Sequence, residues 1–153
     1  MHRTRRPIAV AGALGALVLA AATLSGCAPI VRSCPSWADF SDPDAAYRQA
    51  DVVVVGHVAG RDGTIGTALG DVRAYRFEVD DAVKGGESGT VVRIGSRADP
   101  CDGGDGYTSG DALASAADRV IVYAMNDTGG LVTLTPSQGV TALPEGAPLP
   151  FDH

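Results

Sequence analysis

The chain has 153 residues, 45% of them hydrophobic and 20% charged, with a formal charge of −6 at pH 7. That length holds one core of ordinary size, and the acidic surplus argues against nucleic acid and anionic lipid headgroups as partners. At the start, Arg3, Arg5 and Arg6 form a basic flank, and the run from Ile8 to Leu24 carries no charge. A basic start, an apolar run and small residues before a cut site make a secretory signal. A membrane-spanning helix is the rival reading, but it needs about 20 apolar residues. Ile8 to Leu24 falls a little short, and Gly12 and Gly15 weaken its helix further.

The run ends in Leu24-Ser25-Gly26-Cys27. This stretch resembles the lipobox of bacterial lipoproteins. The resemblance implies a diacylglyceryl group on the Cys27 thiol and cleavage before that residue. Residues 1–26 would be a leader, residues 27–33 a lipidated tether, and the domain would sit on the outer face of the cell membrane. Each buried methylene contributes about 0.8 kcal/mol and stable anchoring takes about two chains, so one diacylglyceryl group suffices. A plain secreted protein or an uncleaved anchor is the alternative. Loss of the leader leaves nine basic against 18 acidic residues, a formal charge of −9.

With Cys27 assigned to lipid, Cys34 and Cys101 remain, and in an oxidising compartment they are expected to pair. Closing a loop of that length stabilises by about 4 kcal/mol in the chain-entropy model. Two free thiols or a metal pair are the alternatives, but two cysteines without a histidine cluster make a poor zinc site.

Downstream, Ser41-Asp42-Pro43-Asp44 reads as a helix start, with Ser41 or Asp42 as cap and Pro43 in the first turn, followed by one or two turns over residues 45–50. Trp37 is expected to pack nearby. Val52 to Val58 is a short β-branched run and reads as a strand. Gly60 to Gly70 reads as a mobile hairpin tip. Along residues 72–83, Tyr75, Phe77 and Val79 alternate with Arg76, Glu78 and Asp80, the pattern of a half-buried strand. Asp81 breaks the apolar parity before Val83 resumes it, which predicts a bulge or a rim position. After a Lys84-Gly85-Gly86 turn, residues 90–94 form a third strand. Residues 119–125 are apolar on both parities and predict a central strand covered on both faces. Residues 131–135 and 139–143 form two short closing strands, and residues 144–153 a Pro-rich tail with little to pack. The whole reads as all-β with one short helix: a small closed or nearly closed barrel, with a sandwich as the alternative.

The serial order adds a resemblance. It rests on Cys34-Pro35, the run Ala50 to Val58 with Gly56-His57, Tyr75-Arg76-Phe77-Glu78-Val79 leading to Val83-Lys84-Gly85, Cys101-Asp102-Gly103-Gly104, and Val120-Ile121-Val122-Tyr123-Ala124. In that order the chain is similar to netrin-like modules, in particular to bacterial relatives of the tissue inhibitors of metalloproteinases. The likeness covers residues 34–143 and implies a five- to six-stranded OB-type Greek-key barrel stapled by disulfide to its N-terminal segment. The sequence departs from the family at Arg32, where a Cys-x-Cys start is usual, and near Pro136 to Gly139, where a further cysteine is usual. Animal inhibitors present a free N-terminal cysteine to the protease zinc. Cys34 is internal and follows Cys27 by seven residues, so that chelation is unavailable and fold analogy does not carry the inhibitor function.

Catalytic machinery is not visible. The mature chain has two histidines, His57 within a strand and His153 at the end, and no nucleophile–base–orienter set accompanies either. Asp99, Asp102, Asp105 and Asp111 crowd the loop around Cys101 and are weak candidates for Ca²⁺, although their spacing is not that of an EF-hand. The glycines of residues 60–70 lack the Lys-Ser/Thr ending of a phosphate loop. The expectation is a non-catalytic binding module without a cofactor, displayed on a membrane and contacting an envelope protein or saccharide. A loop-mediated protease inhibitor and an envelope enzyme are the alternatives.

Overall fold

The valine run after Asp51 begins a strand that runs much further than its apolar part. The structure, a computed structural model, describes residues 34–152. Its elements in chain order are α1 (Pro43–Gln49), β1 (Val52–Thr67), β2 (Gly70–Lys84), β3 (Val91–Ser96), β4 (Val120–Asp127), β5 (Gly130–Thr133) and β6 (Val140–Ala142). Neighbours follow the order β1-β2-β3-β5-β4, and β4 pairs back onto β1, so five strands form a ring with β6 added along β4. All pairings are antiparallel except β3–β5, a short parallel contact of Ile94 with Leu131 and Gly95 with Val132. This is the all-β, barrel-like architecture with one short helix that the strand pattern predicts.

The helix starts where the sequence places it. Asp42 caps it by accepting the Asp44 amide at 3.1 Å, and Pro43 supplies a first residue that needs no amide partner. At the other end the Lys84 ammonium takes the carbonyls of Tyr47, Arg48 and Ala50 at 2.9, 3.2 and 2.5 Å, satisfying orphan acceptors with a charge suited to that end of the helix.

Side chains alternate along β4 and fill two cores. Val120, Val122 and Ala124 join Val54, Phe77 and Ile94 inside the ring, where Leu113 of the long β3–β4 connection also inserts. Ile121 and Tyr123 turn the other way, with Val53 and Val55, and are covered by Ala46 of α1 and by Ala50 just after it. A strand with both faces covered accounts for the unbroken apolar run.

Two expectations need correction. The glycines of residues 60–70 do not form a free tip: β1 continues to Thr67 and β2 starts at Gly70, leaving Ala68 and Leu69 as the turn. Shifts of register between Val58 and Gly60, and between Arg61 and Thr64, absorb the extra residues as bulges, with Gly63 at φ 71°. The Arg93 guanidinium holds the bulge by donating to the carbonyls of Asp62 and Thr64 at 2.8 and 2.7 Å. The C-terminal segment, expected to pack little, sends Phe151 into the outer core at 6% exposure, with Ala147 and Leu149 beside it. Around Asp81, irregularities at Val53/Val54 and Val55/Gly56 opposite β2 bear out the predicted bulge.

Candidate functional site: a cleft beside the disulfide

Cys34 and Cys101 are joined, with Cα atoms 5.5 Å apart, and stand 67 positions apart in sequence. The bond lays the segment before α1 against the loop that follows β3. Trp37 then lies over the Arg97 guanidinium at 5.5 Å. Arg97 is itself buried at 6% exposure, donating to the Thr133 carbonyl at 3.0 Å and pairing with Asp127 at 3.3 Å. A third segment, the β5–β6 connection, is tied in by Gln138, which donates to Asp39 at 2.9 Å and accepts the Phe40 amide at 2.8 Å. Where the three segments meet there is an open cleft of about 420 Å³, lined by Trp37, Asp99, Asp102, Ser109, Asp111 and Ser137 among others.

The acidic residues singled out from the sequence lie in or beside this cleft but do not converge. Asp99 accepts the Cys101 amide at 2.9 Å. Asp102 accepts the Ser109 amide and, at 2.7 Å, its hydroxyl; these bonds hold its carboxyl below the usual range. Asp105 pairs with Arg73 on the outer side of the loop. Asp111, whose side chain is only 4% exposed, meets Arg73 Nη1 at 3.2 Å and the Tyr75 hydroxyl at 2.7 Å, and accepts the Ala114 amide at 3.2 Å. Burial pushes the Asp111 carboxyl up, but hydrogen bonds from Tyr75, Ala114 and Arg73 outweigh it and leave the pKa lowered. Desolvation, then the bond to Asp111, pushes Tyr75 up to about 12. Among the described residues, no group of three or more His, Cys, Asp or Glu side chains is placed to hold a metal ion.

The β2 partners of this loop were not found in the sequence. Arg73 and Tyr75 read there as ordinary strand residues, 38 and 36 positions from Asp111. Tyr107 completes the fastening. Its hydroxyl accepts the Arg73 amide at 2.9 Å and donates to the Ser96 carbonyl at 2.5 Å, while the Arg73 guanidinium lies 4.1 Å from its ring centroid. The signal available was compositional only: an arginine and a tyrosine at one end of an alternating strand, and a buried-type aspartate far downstream.

His57 lies on the outer face of β1, away from the cleft. Its Nε2 is 3.0 Å from Glu78 and its Nδ1 3.9 Å from Asp80, and its side chain is 45% exposed. Its contacts are carboxylates on a wet strand face. Within the cleft, the Ser109 hydroxyl donates to the Asp102 carboxylate and the Ser115 hydroxyl to the Asp111 carbonyl, each at 2.7 Å. Cys27 and His153 lie outside the described residues. The cleft therefore offers fixed hydrogen-bond acceptors, hydroxyls and one aromatic side chain. No family model, curated protein or solved structure matches the chain.

Proposed function

We propose that this chain is an exported lipoprotein, anchored through Cys27, whose β-barrel is a non-catalytic binding module for a saccharide or protein of the cell envelope. The location rests on the leader and on the lipobox-like Leu24-Ser25-Gly26-Cys27. The binding role rests on the cleft, where two segments joined by a disulfide and a third tied in by Gln138 present Trp37 and carboxylates whose orientation is already set by internal hydrogen bonds. Groups ordered in advance lose little entropy when a ligand arrives, which favours recognition. Asp102 and Asp111, held below the usual carboxylate range, stay ionised near neutral pH and serve as acceptors rather than proton donors. The netrin-like order of segments accords with a module that works by contact.

Two experiments test this. Mass spectrometry of the protein recovered from its host membrane is expected to show residue 27 as the N-terminus bearing acyl chains, and Cys27→Ser to release the protein into the medium. A retained leader, or an unacylated Cys27, overturns the location. Trp37 is the only tryptophan in the chain, so its emission reports on the cleft. Titration with cell-wall saccharide fragments, and cross-linking on intact cells, are expected to find a ligand whose binding Ser137→Trp blocks. A ligand that binds the Ser137→Trp protein as tightly as the unsubstituted one removes the cleft from the proposal.

A further inference from the structure

The Trp37 cleft opens close to the start of the folded chain. Cys34 is the first described residue, and its bond to Cys101 fixes it to the loop that carries Asp99 and Asp102. Trp37 follows Cys34 by three residues, and Trp37, Asp99 and Asp102 all line the cleft. An anchor upstream of Cys34 therefore holds the domain by the rim of the cleft. Cys27 precedes Cys34 by seven residues. Even fully extended, seven residues reach roughly 25 Å, less than the diameter of a small domain, about 30 Å. With lipid on Cys27, Cys34 stays within that reach of the bilayer surface.

The lining sets what can enter. It holds three carboxylates, three serines and the Trp37 indole, with no basic side chain among them. A phosphate or uronate headgroup would meet like charge at short range. A neutral sugar instead donates its hydroxyls to the carboxylates and lays its C–H face on the indole. The volume of about 420 Å³ lies in the range of small-ligand sites.

We infer that the cleft takes the sugar headgroup of a neutral glycolipid embedded in the same membrane that holds the chain's own lipid. The inference rests on the anchoring and the binding role proposed above and names the ligand of that cleft. A short tether confines the cleft to the layer in which such headgroups stand. Anchor and ligand then share one surface and meet at high effective concentration. Saccharide further out in the envelope calls for a longer linker, because linker length sets reach.

The test uses the full lipidated protein in phosphatidylcholine vesicles. The natural tether is compared with one lengthened by about 20 Gly and Ser residues between Arg32 and Ser33, which adds roughly 25 Å of reach. Energy transfer from Trp37 to dansyl-labelled lipid headgroups is expected to be strong with the natural tether and to drop with the long one. Diglucosyldiacylglycerol in the same vesicles is expected to change Trp37 emission, and phosphatidylglycerol is not. The long tether should need roughly fivefold more glycolipid for the same change. Ser137→Phe, which fills the cleft without adding a tryptophan, should abolish the change. Transfer that is the same for both tethers overturns the inference. So does an equal response to phosphatidylglycerol, or a long tether as sensitive to glycolipid as the natural one. The soluble diglucosylglycerol headgroup separates this inference from the reading beneath it and is expected to bind both tether forms alike. Soluble headgroup that binds, with no gain from the short tether, sinks the membrane partner and leaves the cleft standing. Failure of the headgroup and of every cell-wall fragment to bind removes the cleft and this inference together.

Discussion

Replacing Asp111 by alanine should detach the β3–β4 loop from the barrel, and the cost follows from what the carboxylate holds. Its side chain is 4% exposed and pairs with Arg73 at 3.2 Å, accepts the Tyr75 hydroxyl at 2.7 Å and caps the Ala114 amide at 3.2 Å. Tyr75 is 5% exposed, so its hydroxyl would be left buried without a partner, a penalty of about 1–3 kcal/mol. Breaking a buried ion pair from one side costs about 3–5 kcal/mol, but Arg73 is 28% exposed and keeps Asp105, which puts the total near the lower end, about 3 kcal/mol. In a domain of this size that lowers Tm by roughly 10 °C. Urea unfolding of the disulfide-intact protein, followed through Trp37, measures it as a fall in midpoint at unchanged slope. The pH dependence supplies a second check. A carboxyl whose folded pKa is depressed adds stability that is present above its unfolded value of about 3.9 and is lost as pH falls through the lower folded value. The difference between parent and Asp111→Asn should therefore be full at pH 6 and shrink steadily below pH 4. A cost under about 1 kcal/mol for Asp111→Ala, or a difference between parent and Asp111→Asn that does not change between pH 6 and pH 2.5, refutes the account.

Three further outcomes are expected. Gly56→Ala should prevent a native barrel from forming or cost more than about 3 kcal/mol, because the new Cβ would lie 1.9 Å from the Glu78 carbonyl oxygen across the β1–β2 ladder; soluble protein with the midpoint of the parent counts against the register. Lys84→Met should cost about 1–2 kcal/mol, since three carbonyls at the end of α1 lose their donor, and the loss should appear as faster amide exchange in α1 than in β2. The double variant Cys34→Ser, Cys101→Ser should lose about 4 kcal/mol by the chain-entropy estimate for a closure spanning 67 positions; chemical denaturation with and without reductant is the measurement, and no difference between them means that the bond is absent in the folded protein.

How far the fold could be read from the residues is clearest in β4 and β1. Val120 to Ala124 is apolar on both parities, and the structure covers it on both faces, by the ring interior and by α1. The Asp42-Pro43 helix start and the bulge near Asp81 were also legible, because each is a local choice between few backbone states. The stretch from Gly60 to Gly70 was misread for the same local reason. Its glycines fit a loose turn as well as a bulged strand, and Arg93 from β3, which secures the bulge, lies about 30 positions away. Phe151 was overlooked because a single aromatic among prolines carries no period; only Tyr47 and Tyr123 together give it a place.

The residues by themselves pointed to five or six strands, to a disulfide between Cys34 and Cys101 as the default pairing, and to an acidic loop around Cys101, since hydrophobic period and turn chemistry act over short range; the structure has six strands and that bond. Ring closure decided the rest. It brought β2 against the β3–β4 loop, so that Arg73 and Tyr75 took Asp111, and it brought three distant segments together around Trp37. Side-chain charge and burial are settled by neighbours in space, and in a barrel most of those neighbours lie tens of residues away along the chain.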